Sequence, residues 1–292
     1  MDKKYKYYKS NGKLFRCYVE IDNDPLNPRY DCDGNIGKMM CWHRHYQLGD
    51  YKDNDYENNE YFLADMLRKN VPEKSIINYV KNKKASNGLE LRYDRKEKMW
   101  QLWGNYYWFP LGSSKDASFG VIEENENIEW VVDEIIEALP QQDAWYLLEK
   151  HANIVFLPLY LYDHGGISMS CSHGYPYNDR WDSGCVGYIY TDKETVLDTC
   201  GNANKRNWKK IAYENMRGEV EIYNQMLVGE VYDIFVEEYD GKSDDWDFAD
   251  CCGGFFNDKW GEELLVNIAR DYGISENLYD TMSEAIADKP AA

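Results

Sequence analysis

The stretch Asn153-Ile154-Val155-Phe156-Leu157-Pro158-Leu159-Tyr160-Leu161-Tyr162 constrains this chain more than any other. It is the most hydrophobic run, and a short continuous apolar run between polar flanks reads as a buried strand. Pro158 has no N–H to give to a neighbouring strand, so a bulge or a sheet edge is expected there. Whatever else the chain does, it must build a core around this segment.

The flanking sequence supplies the material for that core. Residues 14–22 read as a strand that stops at an Asp/Asn/Pro cluster, and 39–46 is a short apolar-aromatic stretch that ends at Leu48-Gly49-Asp50. Residues 60–70 set Phe62, Leu63, Met66 and Leu67 on one helical stripe, and Pro72 opens a second short helix running to about Lys84. Residues 88–110 read as a hairpin turning at Asp94-Arg95-Lys96-Glu97, and Gly112-Ser113-Ser114 as a flexible joint. Residues 126–138 are amphipathic, with Ile128, Val131, Val132, Ile135 and Ile136 inward, and a helix over 141–151 follows Pro140. Beyond the apolar run, 163–184 reads as a long loop and 185–191 as a strand. Asp192 and Thr191 can cap a short helix at 193–199, and 205–227 is a long helix weakened at Gly218. Residues 230–239 alternate as a strand, 244–258 read as loop, and 259–271 as a final helix. Strands and helices mix without a regular βαβ rhythm. The expected class is therefore α+β, with mixed, mainly antiparallel sheets and flanking helices. Two regions are expected: 1–112 with the aromatic hairpin, and 113–292 with the 163–184 loop and an acidic end.

With 292 residues the chain can bury a real core, and a hydrophobic fraction of 43% is far above that of disordered chains. No apolar run reaches the roughly 18 residues of a membrane helix, and Met1-Asp2-Lys3-Lys4-Tyr5 lacks the apolar stretch of a signal peptide. A cytoplasmic protein with reduced cysteines is expected. The net charge of −19 argues against a general nucleic-acid binder and against a surface that docks on anionic lipid. That charge is unevenly placed: residues 219–292 hold 19 acidic and 4 basic side chains, while residues 74–98 hold 3 acidic and 8 basic. Such separation suggests an oriented contact with a partner or between copies of the chain.

Four constellations hold residues that could carry chemistry. In a strand, Cys41, His43 and His45 would share one face at a spacing that suits zinc, but no fourth ligand is evident nearby, and no metal or other cofactor is expected. In the 163–184 loop, Asp163, His164, His173 and Asp182 are the candidate catalytic residues of a hydrolytic site, with Ser183 or Cys185 as nucleophile. Against this, Asp, Ser and Gly are ordinary turn formers, and Trp181 can pin the loop to the core. The run Asp250-Cys251-Cys252-Gly253-Gly254-Phe255-Phe256 lacks the Lys of a phosphate loop and reads as a tight turn anchored by its two phenylalanines. The surplus of Tyr (26) and Trp (10), including the hairpin aromatics at 99–109, suits either base stacking or a protein interface; the acidic total favours the interface.

Several motifs together resemble a family encoded by bacteriophages, prophages and plasmids. They are Asn27-Pro28-Arg29-Tyr30-Asp31-Cys32-Asp33-Gly34-Asn35-Ile36-Gly37-Lys38-Met39-Met40-Cys41-Trp42-His43-Arg44-His45-Tyr46-Gln47-Leu48-Gly49-Asp50, then the run from Leu157 to Met169 through Asp163-His164-Gly165-Gly166, and Trp181-Asp182-Ser183-Gly184-Cys185-Val186-Gly187-Tyr188-Ile189-Tyr190. Residues 219–232 and Cys252-Gly253-Gly254-Phe255-Phe256 fit as well, so the resemblance spans nearly the whole chain. Most of that family has no assigned activity. It usually carries Arg at the place of His45, Ser at Gly165 and Gln at Cys185, which weakens both the zinc triad and a Cys185 nucleophile. A specific association is with the Gabija anti-defence proteins. The resemblance implies an oligomeric inhibitor in the host bacterial cytoplasm that binds a host nuclease–helicase complex and blocks DNA binding and cleavage, without catalysis. The expected partner contacts are Asp233, Glu237, Glu238, Asp240, Asp244, Asp245, Trp246 and Asp247, with Trp100, Trp103 and Tyr107. The alternative is a small-ligand or nucleotide-processing enzyme with its site in the 163–184 loop.

Overall fold

A computed structural model describes residues 4–96, 99–104, 108–113, 128–171, 182–274 and 277–287. Among them, eight α-helices and eleven strands form an α+β fold in which every strand pairing is antiparallel. Three sheets organise the chain. The first orders β1 (Lys6–Ser10), β2 (Lys13–Ile21), β10 (Val231–Asp240) and β11 (Asp245–Phe256). The second orders β3 (Lys38–Cys41), β9 (Ser183–Asp192), β7 (Ile154–Asp163) and β8 (Ile167–Ser170). The third is β4 (Glu90–Asp94), β5 (Met99–Trp103) and β6 (Trp108–Ser113). Both four-stranded sheets draw strands from either side of residue 112.

The apolar run is β7, and its unbroken hydrophobicity has a structural cause: both of its faces are buried. Ile154 and Phe156 pack with Met40 and Tyr188 against the helices α1 (Asn59–Asn70) and α4 (Gln141–Ala152). Val155, Leu157, Leu159 and Leu161 pack on the opposite side against Ile211, Met216, Val220 and Tyr223 of α6 (Trp208–Val228). A strand enclosed this way needs no polar alternation. Pro158 lies opposite Tyr188 of β9, one residue from a register irregularity at Leu159/Tyr160. On its other side β8 pairs only with Tyr160–Asp163, so the sheet asks no hydrogen bond of the proline.

Local signals place the helices. The Asn58 side chain accepts from the N–H groups of Glu60 and Tyr61 at 3.0 Å and starts α1; Phe62, Leu63 and Leu67 of its stripe are buried. The Asp192 carboxylate accepts from Thr195 N–H at 2.9 Å and starts α5 (Lys193–Thr199). The helix α3 (Ile128–Ala138) buries Val131, Val132, Ile135 and Ile136 with α2 (Glu73–Lys81). Gly187 lets β3 close on β9, since a Cβ there would sit 1.9 Å from the Met40 carbonyl oxygen.

Several expectations are corrected. Of the stretch 39–46 only Met39–Cys41 is strand, and the hairpin at 88–110 is three strands, because β5 pairs with β6 as well as with β4. Gly112 and Ser113 belong to β6 rather than to a free joint. The 163–184 loop is shorter than expected: a turn at His164–Gly166 leads straight into β8, and β9 begins at Ser183. Residues 244–258 are mostly the 12-residue strand β11, so the Cys251-Cys252-Gly253-Gly254 run is extended rather than a tight turn. Trp181 lies outside the described residues. No helix among the described residues is long and apolar enough to cross a membrane.

Candidate functional site

The signature at 27–50 serves the fold before any chemistry. Arg29 is buried and forks onto Asp50, with Nε to Oδ1 at 2.8 Å and Nη2 to Oδ2 at 2.9 Å. Its Nη1 donates to Glu219 Oε2 of α6 at 2.8 Å, and Nη2 donates to the Gly37 carbonyl at 2.6 Å. Glu219 accepts from Ile36 N–H at 2.8 Å and from Gly37 N–H at 3.1 Å, and Asp50 accepts from Met39 N–H at 2.8 Å. Burial opposes the guanidinium charge, yet the bonds to Asp50 and Glu219 hold its pKa above the ordinary value. This network staples the segment 27–50 and the entry to β3 onto α6. Gly49, at φ +60°, completes the staple where a side chain would meet the Met39 carbonyl at 2.4 Å. Nothing in spacing marks these residues, because Glu219 lies 190 positions from Arg29.

Just beyond β3 the chain enters a cleft of about 490 Å³ lined by Trp42–His45, Leu161, Asp163 and Asp182–Val186. The β3–β9–β7 pairing thus brings together two constellations that are far apart in sequence. His164 Nδ1 and Asp182 Oδ2 lie 2.8 Å apart, and Asp163 N–H donates to the Asp182 carbonyl at 2.7 Å. Tyr46 donates its hydroxyl to Asp163 Oδ1 at 3.1 Å, which raises the phenol pKa, and stacks on His43 at 5.0 Å. Burial, then the neighbouring His45, pushes His43 below its ordinary pKa; its Nδ1 accepts from His45 N–H at 3.3 Å.

A zinc site at this place meets a geometric obstacle. Cys41 sits in the strand while His43 and His45 follow its end, so strand alternation does not align the three. Burial drives the Cys41 thiol far above its ordinary pKa, away from the thiolate a metal needs. Among the described residues no group of three His, Cys, Asp or Glu is arranged for a metal ion. Cys185 opens to the surface, yet the protein around its sulfur still raises the thiol pKa, and Sγ donates to the Gly187 carbonyl at 3.7 Å. That is the state of a resting thiol rather than an activated nucleophile. Of the four candidate catalytic residues, Asp163 and Asp182 line the cleft, and the exposed His164 meets Asp182 from outside its lining; His173 lies outside the described residues.

The expected partner contacts gather on the first sheet. Its inner face packs Tyr8, Cys17, Tyr232, Ile234 and Val236 against Leu265, Ile268 and Ala269 of α7 (Glu262–Asp271). On the outer face one cross-strand row runs Tyr7, Arg16, Glu237, Phe248. Arg16 pairs with Glu237 and lies over the rings of Tyr5 at 4.4 Å and Trp246 at 4.5 Å. Trp246 also meets Tyr7 at 5.8 Å and Tyr239 at 5.3 Å, and Tyr18 stacks on Phe235 at 5.2 Å. Phe248, which sequence reasoning passed over, is 68% exposed. Asp244, Asp245 and Asp247 are exposed along the hairpin, with Asp240 half-buried at its end, whereas Asp250, opposite Val236, lies on the α7 side and accepts from the Tyr272 hydroxyl. Ser243 and the Lys242 N–H bond the Asp240 carboxylate and hold its pKa low.

Not every expected contact belongs to this face. Asp233 is half-buried opposite Glu20, and burial, then Asp22, raises its pKa. Glu238 pairs with Lys13. Trp100 and Trp103 belong to the third sheet, where Trp100 meets Tyr93 at 5.4 Å and packs on the core. Arg92 lies 4.8 Å over Trp103, whose Nε1 donates to Gln101 at 2.9 Å. Tyr107 lies outside the described residues. No family model, curated protein or solved structure matches this chain.

Proposed function

We propose that this chain is a non-catalytic inhibitor that covers a basic, DNA-contacting surface of a host antiviral nuclease complex. The observation that carries the reading is the outer face of the first sheet. Arg16 lies over the rings of Tyr5 and Trp246, Tyr7 and Tyr239 meet Trp246, Phe248 stands exposed in the same cross-strand row, and the exposed Asp244, Asp245 and Asp247 line the adjoining hairpin. Aromatic centres with charged rims are the usual anatomy of protein interfaces. An acidic rim complements the lysines and arginines with which a nuclease holds phosphate, and it speeds encounter with them. The family resemblance directs this reading to the Gabija complex, bound by an oligomer of the chain.

The test is to titrate the purified chain into the purified Gabija complex and follow cleavage of its DNA substrate. Cleavage should stop at a fixed stoichiometry, and the variant Asp245→Asn/Asp247→Asn/Asp250→Asn should inhibit less. Undiminished cleavage at saturating chain removes the proposal.

A second reading rests on the hydrogen bond between His164 and Asp182, a residue that lines the cleft, the arrangement by which a carboxylate orients a general base. On that reading the cleft processes a small ligand such as a nucleotide. His164→Ala and Asp182→Asn would then abolish function while leaving partner binding intact; unchanged function in both variants discards it.

A further inference from the structure

The two edges of the first sheet are treated differently. At β1 the edge is closed: Tyr7 and Tyr279 exchange both backbone hydrogen bonds at 2.9 Å, Lys6 pairs with Asp280, and Lys9 reaches the Ile286 carbonyl at 2.6 Å. The opposite edge is β11, the longest strand among the described residues, and Asp245, Asp247 to Gly254 are all exposed. Along β11, the N–H of Trp246 donates to the preceding Asp245 carboxylate at 2.8 Å, and that of Cys251 to the Asp250 carboxylate at 2.9 Å. These two backbone donors are met by the strand's own side chains, and no further strand among the described residues pairs with this edge.

A long edge of this kind is a template for another strand, and its side chains decide which strand. Pairing with a second copy of β11 sets aspartate near aspartate, and like charges opposite one another destabilise a ladder. A strand of alternating Lys or Arg sets opposite charges beside Asp245 and Asp247, ahead of the register irregularity between Phe248 and Asp250. The acidic side chains therefore reject self-pairing and select a basic partner with one device.

We propose that β11 is a strand-addition site, and that an extended, lysine- or arginine-rich segment of the partner protein docks along it as the fifth strand of the first sheet. This rests on the acidic-face reading above and specifies its docking mode.

Three synthetic octapeptides test it on the full chain: alternating Lys and Thr, the same sequence fully N-methylated, and alternating Glu and Thr. Amide hydrogen exchange is followed by NMR across residues 245–252. The Lys/Thr peptide should slow exchange of alternate β11 amides at least tenfold. The N-methylated peptide, with equal charge and no backbone donors, should bind at least tenfold more weakly and protect none. Equal binding of those two peptides overturns strand addition while leaving the acidic-face reading standing. Equal binding of the Glu/Thr peptide, or undiminished Lys/Thr binding by Asp245→Asn/Asp247→Asn/Asp250→Asn, overturns the acidic-face reading as well. Protection of the same amides in the free chain, rising with its concentration, overturns the choice of a basic partner in favour of a second copy.

Discussion

Asp50 and Glu219 around Arg29, and Asp245, Asp247 and Asp250 on β11, are the same chemistry in opposite circumstances. The first pair meets a guanidinium and backbone N–H groups out of water, at side-chain exposures of 13% and 11% beside an Arg29 at 2%. The aspartates of β11 are exposed: Asp245 and Asp250 each accept from the N–H of the next residue, and Asp250 also from the Tyr272 hydroxyl. A buried charge is held because its partners are fixed; removing one partner leaves the other uncompensated. An exposed charge does little for stability and is free to act on an incoming partner. The difference teaches that the resemblance motif at 27–50 records a requirement of the fold, while the charge asymmetry of the last quarter is available for binding.

The largest effect should come from breaking the enclosed network. Glu219→Ala leaves Arg29 half-paired and should lower stability by about 3–5 kcal/mol, read as a fall in the urea midpoint. Gly187→Ala comes next. It pushes β3 from β9 where the network delivers it, with a cost of about 1–3 kcal/mol and increased exchange of the Met39–Cys41 amides. By contrast, Asp245→Asn/Asp247→Asn/Asp250→Asn should shift stability by no more than about 0.5 kcal/mol per site by the same urea assay. A loss as large as that of Glu219→Ala would erase the distinction between the two regions.

The smallest effect concerns the cleft. Because His43 has a folded pKa below its ordinary value, the unfolded chain takes up the proton first as pH falls. His43 therefore favours the folded state above the ordinary histidine range, and that contribution is lost as pH drops through its lowered pKa. The midpoint difference between pH 7.5 and pH 5.5 should be smaller in His43→Gln than in the parent chain; an identical difference would show that His43 does not carry it.

What could be read from the sequence depended on how local each signal was. The stripes of α1 and α3 and the run of β7 carry their own periodicity, so their positions followed directly. β11 did not announce itself: Asp, Ala, Cys and Gly have little strand preference, and pairing with β10 holds it extended. β1, β8 and α8 (Met282–Ala287) are four to six residues long, too short for a pattern to emerge. The cleft was legible in halves, as 41–45 and as 163–184, but their meeting depends on the order β3-β9-β7. The Arg29–Glu219 contact, bridging most of the chain, had no local trace at all.

The most direct test of the central claim is the salt dependence of binding between the chain and the Gabija complex, compared with the Asp245→Asn/Asp247→Asn/Asp250→Asn variant. The account predicts an affinity lower by on the order of tenfold in the variant and a shallower fall of affinity with salt. Equal affinities with equal salt slopes would contradict it.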